Sequence, residues 1–428
     1  MCYAISGPSG GLLMPHYLDQ FDATLPAERW TRVRRWMFEE PLPFYAELRD
    51  HRPVLAMPEL TLATRYADCA LILRRHDDFG VDLYKPKQGP YWMAQDETAQ
   101  HVREKAIMTA ILDREDIPEM RRWIAAETAR RLDDAGWGIE AVNELSRAVP
   151  IAFVQAWFGF GEAEPAHLQE WSYWNQQDAF HNQPFDRRPD AQAVIDARGR
   201  VGLMMGLFLA RIVAERTIAV KLGLSKHDPV SRLLQLSFSG GVKFNLQQVV
   251  YNSGGLLIGA VETTSHTVIN ALQELLARPD VLTEARALAM EDDLASFDGF
   301  VFEALRFRPA FPYFFRTCHR ATELAGGTPF ASTVQPGTTV LAVTHSAMFD
   351  GASFPDAERF VPDRARADEF TFGQGLHQCL GVAIGRIIIP EIVRQCLRLP
   401  GLRAEAQPEI KGDVPERWPL RWGLPGPA

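Results

Sequence analysis

The residues best suited to chemistry in this 428-residue sequence surround Cys379, in the segment Phe-Gly-Gln-Gly-Leu-His-Gln-Cys-Leu-Gly. Two glycines precede the thiol and one follows it, which lets the backbone approach a flat, bulky group where side chains would collide. The apolar pattern over 382–399 predicts a helix, so the sulfur would lie at a helix N-terminus, which favours an anion. A thiolate there, two residues after His377, is suited to hold iron beneath a planar macrocycle. The alternative is a buried structural cysteine, which leaves the glycines and His377 without a role.

This segment resembles the haem-binding loop of the cytochrome P-450 superfamily, Phe-Gly-x-Gly-x-His-x-Cys-Leu-Gly, with every specified position filled. The resemblance implies that Cys379 is the axial ligand of the iron of haem b. It also implies that Phe372, Gly373, His377 and Gly381 contact the cofactor.

A second motif lies within a predicted helix over 245–278, where residues 259–263 read Gly-Ala-Val-Glu-Thr. The hydroxyl of Thr263 can bond to the carbonyl one turn back, which opens a helix and leaves a groove for water or a diatomic ligand. The segment resembles the oxygen-binding groove of the same superfamily. By that resemblance Ala260 lies against the haem, Thr263 hydrogen-bonds dioxygen, and Glu262 helps to relay protons. Considered without the cysteine loop, Glu262 and Thr263 would be interpreted more simply as a helix-capping pair or as a pair exposed to solvent.

Glu303 and Arg306 have the i, i+3 spacing that places a carboxylate and a guanidinium on one helix face. Together with Arg359 they resemble the structural triad of the superfamily. The resemblance implies a role in folding and haem retention.

The haem carboxylates need cationic or hydrogen-bonding partners. Besides His377, the candidates are Arg316 and the pair His101 and Lys105, one helical turn apart. That pair resembles a pair of the same superfamily in which the second residue is more often arginine. Here Lys105 takes that position, so a compact ammonium charge replaces a planar guanidinium group. For His101 the alternative is an ordinary half-exposed helix histidine.

Several aromatic residues are candidates for a substrate pocket and suggest an apolar, aromatic substrate, although aromatic residues more often belong to a core. They are Tyr84, Tyr91, Trp92, Tyr313 and Phe314.

The composition excludes several classes of function. Lys and Arg total 45 against 54 Asp and Glu, a net charge of −9, which disfavours nucleic-acid binding. No apolar run approaches the ~20 residues that span a bilayer, so we expect no membrane anchor and a cytoplasmic protein. The five scattered cysteines include no Cys-x-x-Cys pair and are typical of a reducing compartment.

No Pro/Gly/Ser-rich linker divides the sequence, so we expect a single domain over 1–428. The resemblance implies a mainly α fold with small β-sheets (α+β), in which a long central helix crosses the haem. The apolar patterns predict helices over 41–51, 66–75, 96–112, 117–135, 139–158, 201–222, 245–278, 294–308 and 382–399. Strands are predicted over 54–57, 60–64, 314–318, 328–330 and 338–343, and irregular chain over 79–95 and 169–196.

The resemblance implies an oxidoreductase, a haem-thiolate monooxygenase that inserts one oxygen atom of dioxygen into a small hydrophobic substrate, as in hydroxylation. Because the sequence has no flavin or nicotinamide fingerprint, we expect NAD(P)H to supply electrons through a ferredoxin and a ferredoxin reductase. We expect a monomer. Two alternatives are a peroxide-driven peroxygenase, against which the Glu-Thr pair argues, and a non-catalytic haem sensor, which would show no turnover.

Overall fold

The computed structural model describes residues 16–96, 98–112, 115–239, 244–365 and 369–423. The helices are α1 Tyr17–Ala23, α2 Pro26–Glu39, α3 Pro41–His51, α4 Tyr66–Arg74, α5 Lys85–Gln88, α6 Ala99–Ile111, α7 Ile117–Asp134, α8 Ala148–Trp157, α9 Pro165–His181, α10 Ala191–Lys221, α11 Pro229–Phe238, α12 Leu246–Ala260, α13 Glu262–Leu276, α14 Pro279–Ala289, α15 Leu294–Phe307, α16 Thr344–Ala347 and α17 Val382–Leu397. The strands are β1 Val54–Ala56, β2 Thr61–Ala63, β3 Phe79–Gly80, β4 Gly138–Glu140, β5 Phe314–Cys318, β6 Thr322–Leu324, β7 Ser332–Val334, β8 Thr339–Ala342, β9 Arg403–Ala404, β10 Glu409–Lys411, β11 Val414–Arg417 and β12 Pro419–Arg421.

The largest sheet has the strand order β1-β2-β8-β5-β3. Strands β1 and β2 form an antiparallel hairpin, whereas β2 and β8 run parallel, with Leu62 opposite Leu341. Strand β5 pairs antiparallel to β8, which places Phe315 beside Leu341. The smaller sheets are β4-β12-β9, β10-β11 and β6-β7. This architecture confirms the predicted mainly α fold with small β-sheets.

Helix α13 lies in the middle of the largest hydrophobic core. Val268, Leu272 and Leu275 are fully buried there, and α13 packs against α15 and α17. A helix that is buried on nearly every side can hold its N-terminal end in a fixed place, which matters for the site described below.

The predicted helix over 245–278 is two helices, α12 and α13, separated at Val261, whose φ is −90° and ψ is −71°. Its expected start is confirmed, because Asn245 and Gln248 form a reciprocal capping box. The predicted end helix is also confirmed, and α17 runs through Pro390 without interruption.

Three other sequence predictions were wrong. Most of the stretch 169–196, predicted to be irregular, is helical, in α9 and the start of α10, because polar residues such as Gln176 and Gln177 occupy buried positions and hide the helical period. The predicted helix over 139–158 begins as β4 and a π-helical turn, Ala141–Ser146, before α8. Residues 328–330 form a turn between β6 and β7.

Cys69, Cys318, Cys379 and Cys396 are free thiols, and Cys2 lies outside the described residues. Within the described ranges, no helix combines the length and the apolar character needed to cross a bilayer.

Candidate active site

The two predicted motifs meet at one cavity of about 550 Å³. One wall is the junction of α12 and α13, with Ala260 and Thr263. Another part of the lining is the loop before α17, with His377 and Cys379. Ligand sites typically occupy about 300–1,000 Å³. Segments that are far apart in the sequence therefore form a single site of ligand size.

The loop before α17 is shaped by glycine. Gly375 has φ +73°, and a Cβ there would lie 2.3 Å from the carbonyl oxygen of Leu73 at the end of α4. Any larger residue would push the loop off α4. The Cys379 N–H donates to the Phe372 carbonyl at 2.9 Å, and Gly373 and Gly381 also line the cavity. The loop thus presents the sulfur to the cavity.

The pKa of Cys379 is raised from its usual value, mainly by burial, while the Gly381 N–H and Lys105 act to lower it. The helix N-terminus alone does not give the thiolate that the sequence suggested. A bound metal cation would, because a coordinating thiol loses its proton.

The cavity also contains unsatisfied polar groups that fit the carboxylates of a haem. Both ring nitrogens of His377 are buried and, among the described residues, have no hydrogen-bond partner. Arg316 also lines the cavity; it is buried and donates to the Phe315 carbonyl at 2.8 Å. Burial lowers the pKa of His377 to about 2, with Arg316 adding to the effect, so the ring is neutral. The cavity lining therefore contains a sulfur ligand, a guanidinium group and a ring N–H, the kinds of group that such a cofactor needs.

His101 lies behind His377 rather than on the cavity wall. The two rings meet edge to face at 4.9 Å. The His101 Nδ1 lies 3.0 Å from the Trp92 carbonyl oxygen, whereas its Nε2 is buried and finds no partner in the described part of the chain. His101 is fully buried, so the alternative of a half-exposed helix histidine was wrong.

Lys105 does not line the cavity. Its Nζ donates to the backbone carbonyls of Leu376 and Gln378, the latter at 3.1 Å. Lys105 thus fixes the cysteine loop through its backbone with two of its three N–H groups, and its position outside the cavity lining corrects the expected direct contact with a haem carboxylate.

Thr263 and Glu262 face different directions. Thr263 lines the cavity, and its Oγ1 donates to the Gly259 carbonyl at 2.6 Å, one turn back as predicted. Glu262 is 2% exposed and does not reach the cavity wall; its Oε2 accepts from Nε of Arg147 at 2.9 Å. Successive helix residues point about 100° apart, so the two side chains leave α13 on different faces.

Glu262 sits in a buried charge cluster. Arg147 also contacts Glu416 at 3.2 Å and Asn143 Oδ1 at 2.7 Å. Burial raises the pKa of Glu262 to about 7, although Arg147 acts to lower it. A carboxyl group with such a pKa can exchange a proton near neutral pH.

Replacing Glu262 by glutamine should remove part of the pH dependence of folding. Burial raises the folded-state pKa from 4.5 to about 7, so between these values the folded protein keeps a proton that the unfolded chain has lost. The free energy of unfolding should therefore fall by roughly 3 kcal/mol as the pH rises through this window. Urea unfolding at several pH values would measure the difference between wild type and variant, and a difference independent of pH would contradict this assignment.

Two of the predicted pocket aromatics, Tyr91 and Phe314, do line the cavity. Tyr91 packs directly on α12 at Gly255, where a Cβ would lie 2.3 Å from its ring. Glycine is therefore required for this aromatic wall.

The other three pocket candidates do not line the cavity, so the structure corrects this expectation. Tyr84 stacks on Phe315 at 4.5 Å, and Trp92 is fully buried and donates to Asn252 at 2.7 Å. Tyr313 packs against a separate hydrophobic cluster. The alternative interpretation of aromatic residues as core applies to these three.

The pair of Glu303 and Arg306 is present and bidentate, at 2.8 and 3.0 Å, but its third partner differs from the expected one. Arg359 contributes its backbone carbonyl, which accepts from Arg306 at 3.0 Å, and its side chain is exposed. The second guanidinium near Glu303 belongs to Arg364, at 3.5 Å.

Sequence reasoning missed one wall of the cavity, formed by α10. Gly199, Gly202 and Gly206 face the cavity from one side of this helix, and nothing lies within 4 Å of a Cβ built at any of them. Their spacing of three and four residues is the signal that could have revealed this face. Arg147, the partner of Glu262, was also missed and carries no local signal.

Comparisons with known proteins agree with this geometry. The sequence profile of the family Cytochrome P450 matches residues 207–399. The chain is 26% identical over 347 residues to the erythromycin C-12 hydroxylase of Saccharopolyspora erythraea, covering 78% of this chain and 81% of that protein. It is also 26% identical over 380 residues to the mycinamicin IV hydroxylase/epoxidase of Micromonospora griseorubida, covering 84% and 88%.

Among solved structures, the ligand-free structure of cytochrome P450 TbtJ1 superposes with a TM-score of 0.75. The two chains are 21% identical, and the match covers 89% of this chain and 96% of the other. At this identity the likeness concerns the fold.

Proposed function

Because this chain belongs to the cytochrome P450 family and is a monooxygenase of that family, we propose that it oxidises a small hydrophobic organic molecule with one atom of dioxygen. The observation that carries the proposal is that Cys379 and Thr263 line one and the same cavity. When bound, haem supplies the reduction of dioxygen and the oxidation of a C–H bond.

The chain's own residues would hold and orient the cofactor. Cys379 would bind the iron, Arg316 and His377 would receive the carboxylates through their buried donors, and His101 would hold the His377 ring from behind. The small side chain of Ala260 would leave room for a flat ring to approach α12. Catalysis of this kind needs the donors fixed in advance, which the buried packing of these side chains provides.

The substrate would occupy the remaining space between the aromatic wall and α10. Leu209, Val250 and Phe153 are among the apolar side chains that line it, and they exclude water from the reacting groups. The two named relatives are hydroxylases, which supports hydroxylation as the reaction. Their identity to this chain is too low to transfer a substrate.

Thr263 would hold a proton at its Oγ1 on the cavity side of α13. Its bond to the Gly259 carbonyl fixes the hydroxyl oxygen and leaves its lone pairs to accept a hydrogen bond from water in the cavity. Glu262, with its raised pKa, would supply protons from behind the wall.

We infer that electrons come from NAD(P)H through a ferredoxin and its reductase, and that the chain acts as a cytoplasmic monomer with one domain over 1–428. Family membership and the bacterial relatives support the first inference. The largest hydrophobic cluster, which spans from Trp92 to Trp422, supports the single domain.

Reconstitution with a bacterial ferredoxin and its reductase would test the function. Compounds that displace water from the iron, detected by the shift of the Soret band, would be tested for NAD(P)H-dependent product. Product in proportion to NAD(P)H is expected. Product with hydrogen peroxide but none with NAD(P)H would indicate a peroxygenase, and binding spectra without any product would indicate a sensor.

Replacing Thr263 by alanine should divert electrons to hydrogen peroxide. Positioned proton donors typically contribute ~10²–10⁴-fold, so product per NAD(P)H should fall by roughly tenfold or more, whereas haem and substrate binding stay intact. Parallel assays of product, peroxide and NAD(P)H would measure this ratio.

Thr217→Ala is the matched control, because Thr217 makes the same kind of back-bond, to the Val213 carbonyl at 2.7 Å, outside the cavity. Thr263→Ser should restore most of the coupling. Unchanged product per NAD(P)H in Thr263→Ala would exclude the proposed role.

A further inference from the structure

Arg198 is a cation of the cavity lining that has no acidic partner in the described part of the chain. It belongs to α10 and is half-buried, and its Nη2 donates to the backbone carbonyl of Lys87. Asp196, the nearest acid in the sequence, accepts from Gln192 at 2.8 Å instead. A guanidinium group carries several N–H donors, so most of those of Arg198 remain available to a ligand.

Lys87 holds this guanidinium group in place. Its ammonium group pairs with Asp178 of α9 at 2.7 Å, and the Asp178 side chain is 4% exposed. It also donates to the Asn182 carbonyl at 3.1 Å. Of the two cations at this junction, Lys87 is therefore neutralised by a buried carboxylate, whereas Arg198 is not. Because the carbonyl that holds Arg198 is tied to α9, its guanidinium group is positioned before any ligand arrives.

The composition of the cavity lining favours an anion beside Arg198. Within the described ranges no aspartate or glutamate lines the cavity, although the chain has 54 acidic residues against 45 basic ones. Gln88, the neighbour of Lys87, also lines the cavity and adds an amide group near the guanidinium. An anionic ligand would thus meet hydrogen-bond donors there and no carboxylate that repels it.

The α10 face that begins at Arg198 continues as an apolar surface. Met205 and Leu209 follow Arg198 by seven and eleven residues, so they lie on the same side of the helix. Both pack beside Gly254 of α12, at 3.4 and 3.3 Å from the position of a Cβ, whereas a Cβ at Gly202 would have nothing within 4 Å. This face therefore leads from a charged end to an apolar end over about 16 Å.

We propose that Arg198 binds a carboxylate group of the substrate, whose apolar body then lies along α10 toward Met205 and Leu209. The substrate class is an amphipathic organic acid. A planar carboxylate matches the fork of a guanidinium group, which can donate two parallel hydrogen bonds to it. Arg198 would thus determine specificity, and the inference rests on the proposed monooxygenase function because it names the substrate class of the same site.

Binding of matched acids and methyl esters tests this inference without turnover. Dodecanoic acid and biphenylacetic acid, each with its methyl ester, would be titrated into the haem-loaded wild type near pH 7, where the acids are ionised. The shift of the Soret band gives each dissociation constant. At least one acid should bind roughly tenfold more tightly than its ester, as expected for a charge-assisted hydrogen bond at a half-exposed site. A set in which no acid binds more tightly than its ester would overturn the proposal.

Arg198→Gln separates recognition of the charge from a structural role. The glutamine amide can still donate to the Lys87 carbonyl but carries no charge. The preference for the acid should therefore fall by about tenfold, whereas the dissociation constant of the ester should stay the same. An equal loss of affinity for acid and ester would show a structural role and overturn the proposal, as would an unchanged preference. Arg198→Lys should keep part of the preference, because it retains the charge without the fork.

Arg200→Gln is the matched control, because Arg200 is exposed on the same helix and does not line the cavity. It makes the same change in net charge and should leave the preference for the acid unchanged. An equal loss of preference in Arg198→Gln and Arg200→Gln would show that the distant field of the protein selects the acid, and would overturn the proposal.

A crystal structure of the wild type with the tighter-binding acid should show the carboxylate within hydrogen-bond distance of the Arg198 guanidinium. A carboxylate bound elsewhere in the cavity would overturn the proposal. Wild-type protein that yields no product with any tested compound would refute the proposed function. Wild type that forms product but binds acid and ester equally would refute only this inference.

Discussion

Replacing Cys379 by serine should abolish substrate oxidation while leaving the protein folded. The hydroxyl cannot supply the electron density that a thiolate gives to iron, and this density favours cleavage of the O–O bond. The side chain faces the cavity and is not part of the core, so its exchange for a residue of similar shape removes little packing. Product formation with saturating redox partners, normalised to haem content, measures the effect.

Cys318→Ser is the matched control for the cysteine chemistry. Cys318 lies in β5, and its Sγ donates to the Arg320 carbonyl at 3.0 Å, a bond that a serine hydroxyl can make. This variant should keep its oxidation rate. Substrate oxidation by Cys379→Ser at a rate close to wild type would show that another group holds the iron.

Replacing Arg306 by alanine should strongly destabilise the fold. Arg306 and Glu303 are both essentially unexposed, at 0% and 1% of their side chains. The change would leave the Glu303 carboxylate buried and without this partner, which costs about 3–5 kcal/mol. Because Arg306 also donates at 3.0 Å to the carbonyl of Met348, which lines the cavity, haem retention should fall as well.

Urea unfolding and the ratio of haem to protein after gel filtration would measure both effects. Arg211→Ala is the control, since Arg211 pairs with Glu162 and Glu215 on the surface, with 52% of its side chain exposed, and should leave the midpoint almost unchanged. Exchanging Glu303 and Arg306 together for leucine and methionine should cost less than Arg306→Ala alone. An unaltered midpoint in Arg306→Ala would contradict the structural role.

Features that depend on local spacing could be predicted from the sequence. The glycines around Cys379 fix the loop by backbone geometry, and Asn245 with Gln248 caps α12 within four residues. The Thr263 back-bond also connects residues one turn apart. In the cap and the back-bond, residues within one turn supply the whole interaction.

Features that depend on distant partners could not be predicted. The direction of Glu262 is decided by Arg147, which lies on the approach to α8, and nothing near Glu262 in the sequence indicates this partner. Arg364 rather than Arg359 turns its guanidinium to Glu303 because the chain between them folds back. Helix α9 was missed because the tertiary structure buries Gln176 as though it were apolar.

The absorption spectrum of the reduced, carbon monoxide-bound protein tests the haem-thiolate assignment most directly. Wild-type protein expressed with ample iron and porphyrin precursor should be coloured and show the strongly red-shifted Soret band of a thiolate-ligated haem, and Cys379→His should lose that band while keeping haem. A colourless wild-type protein, or a red-shifted band that persists in Cys379→His, would contradict it.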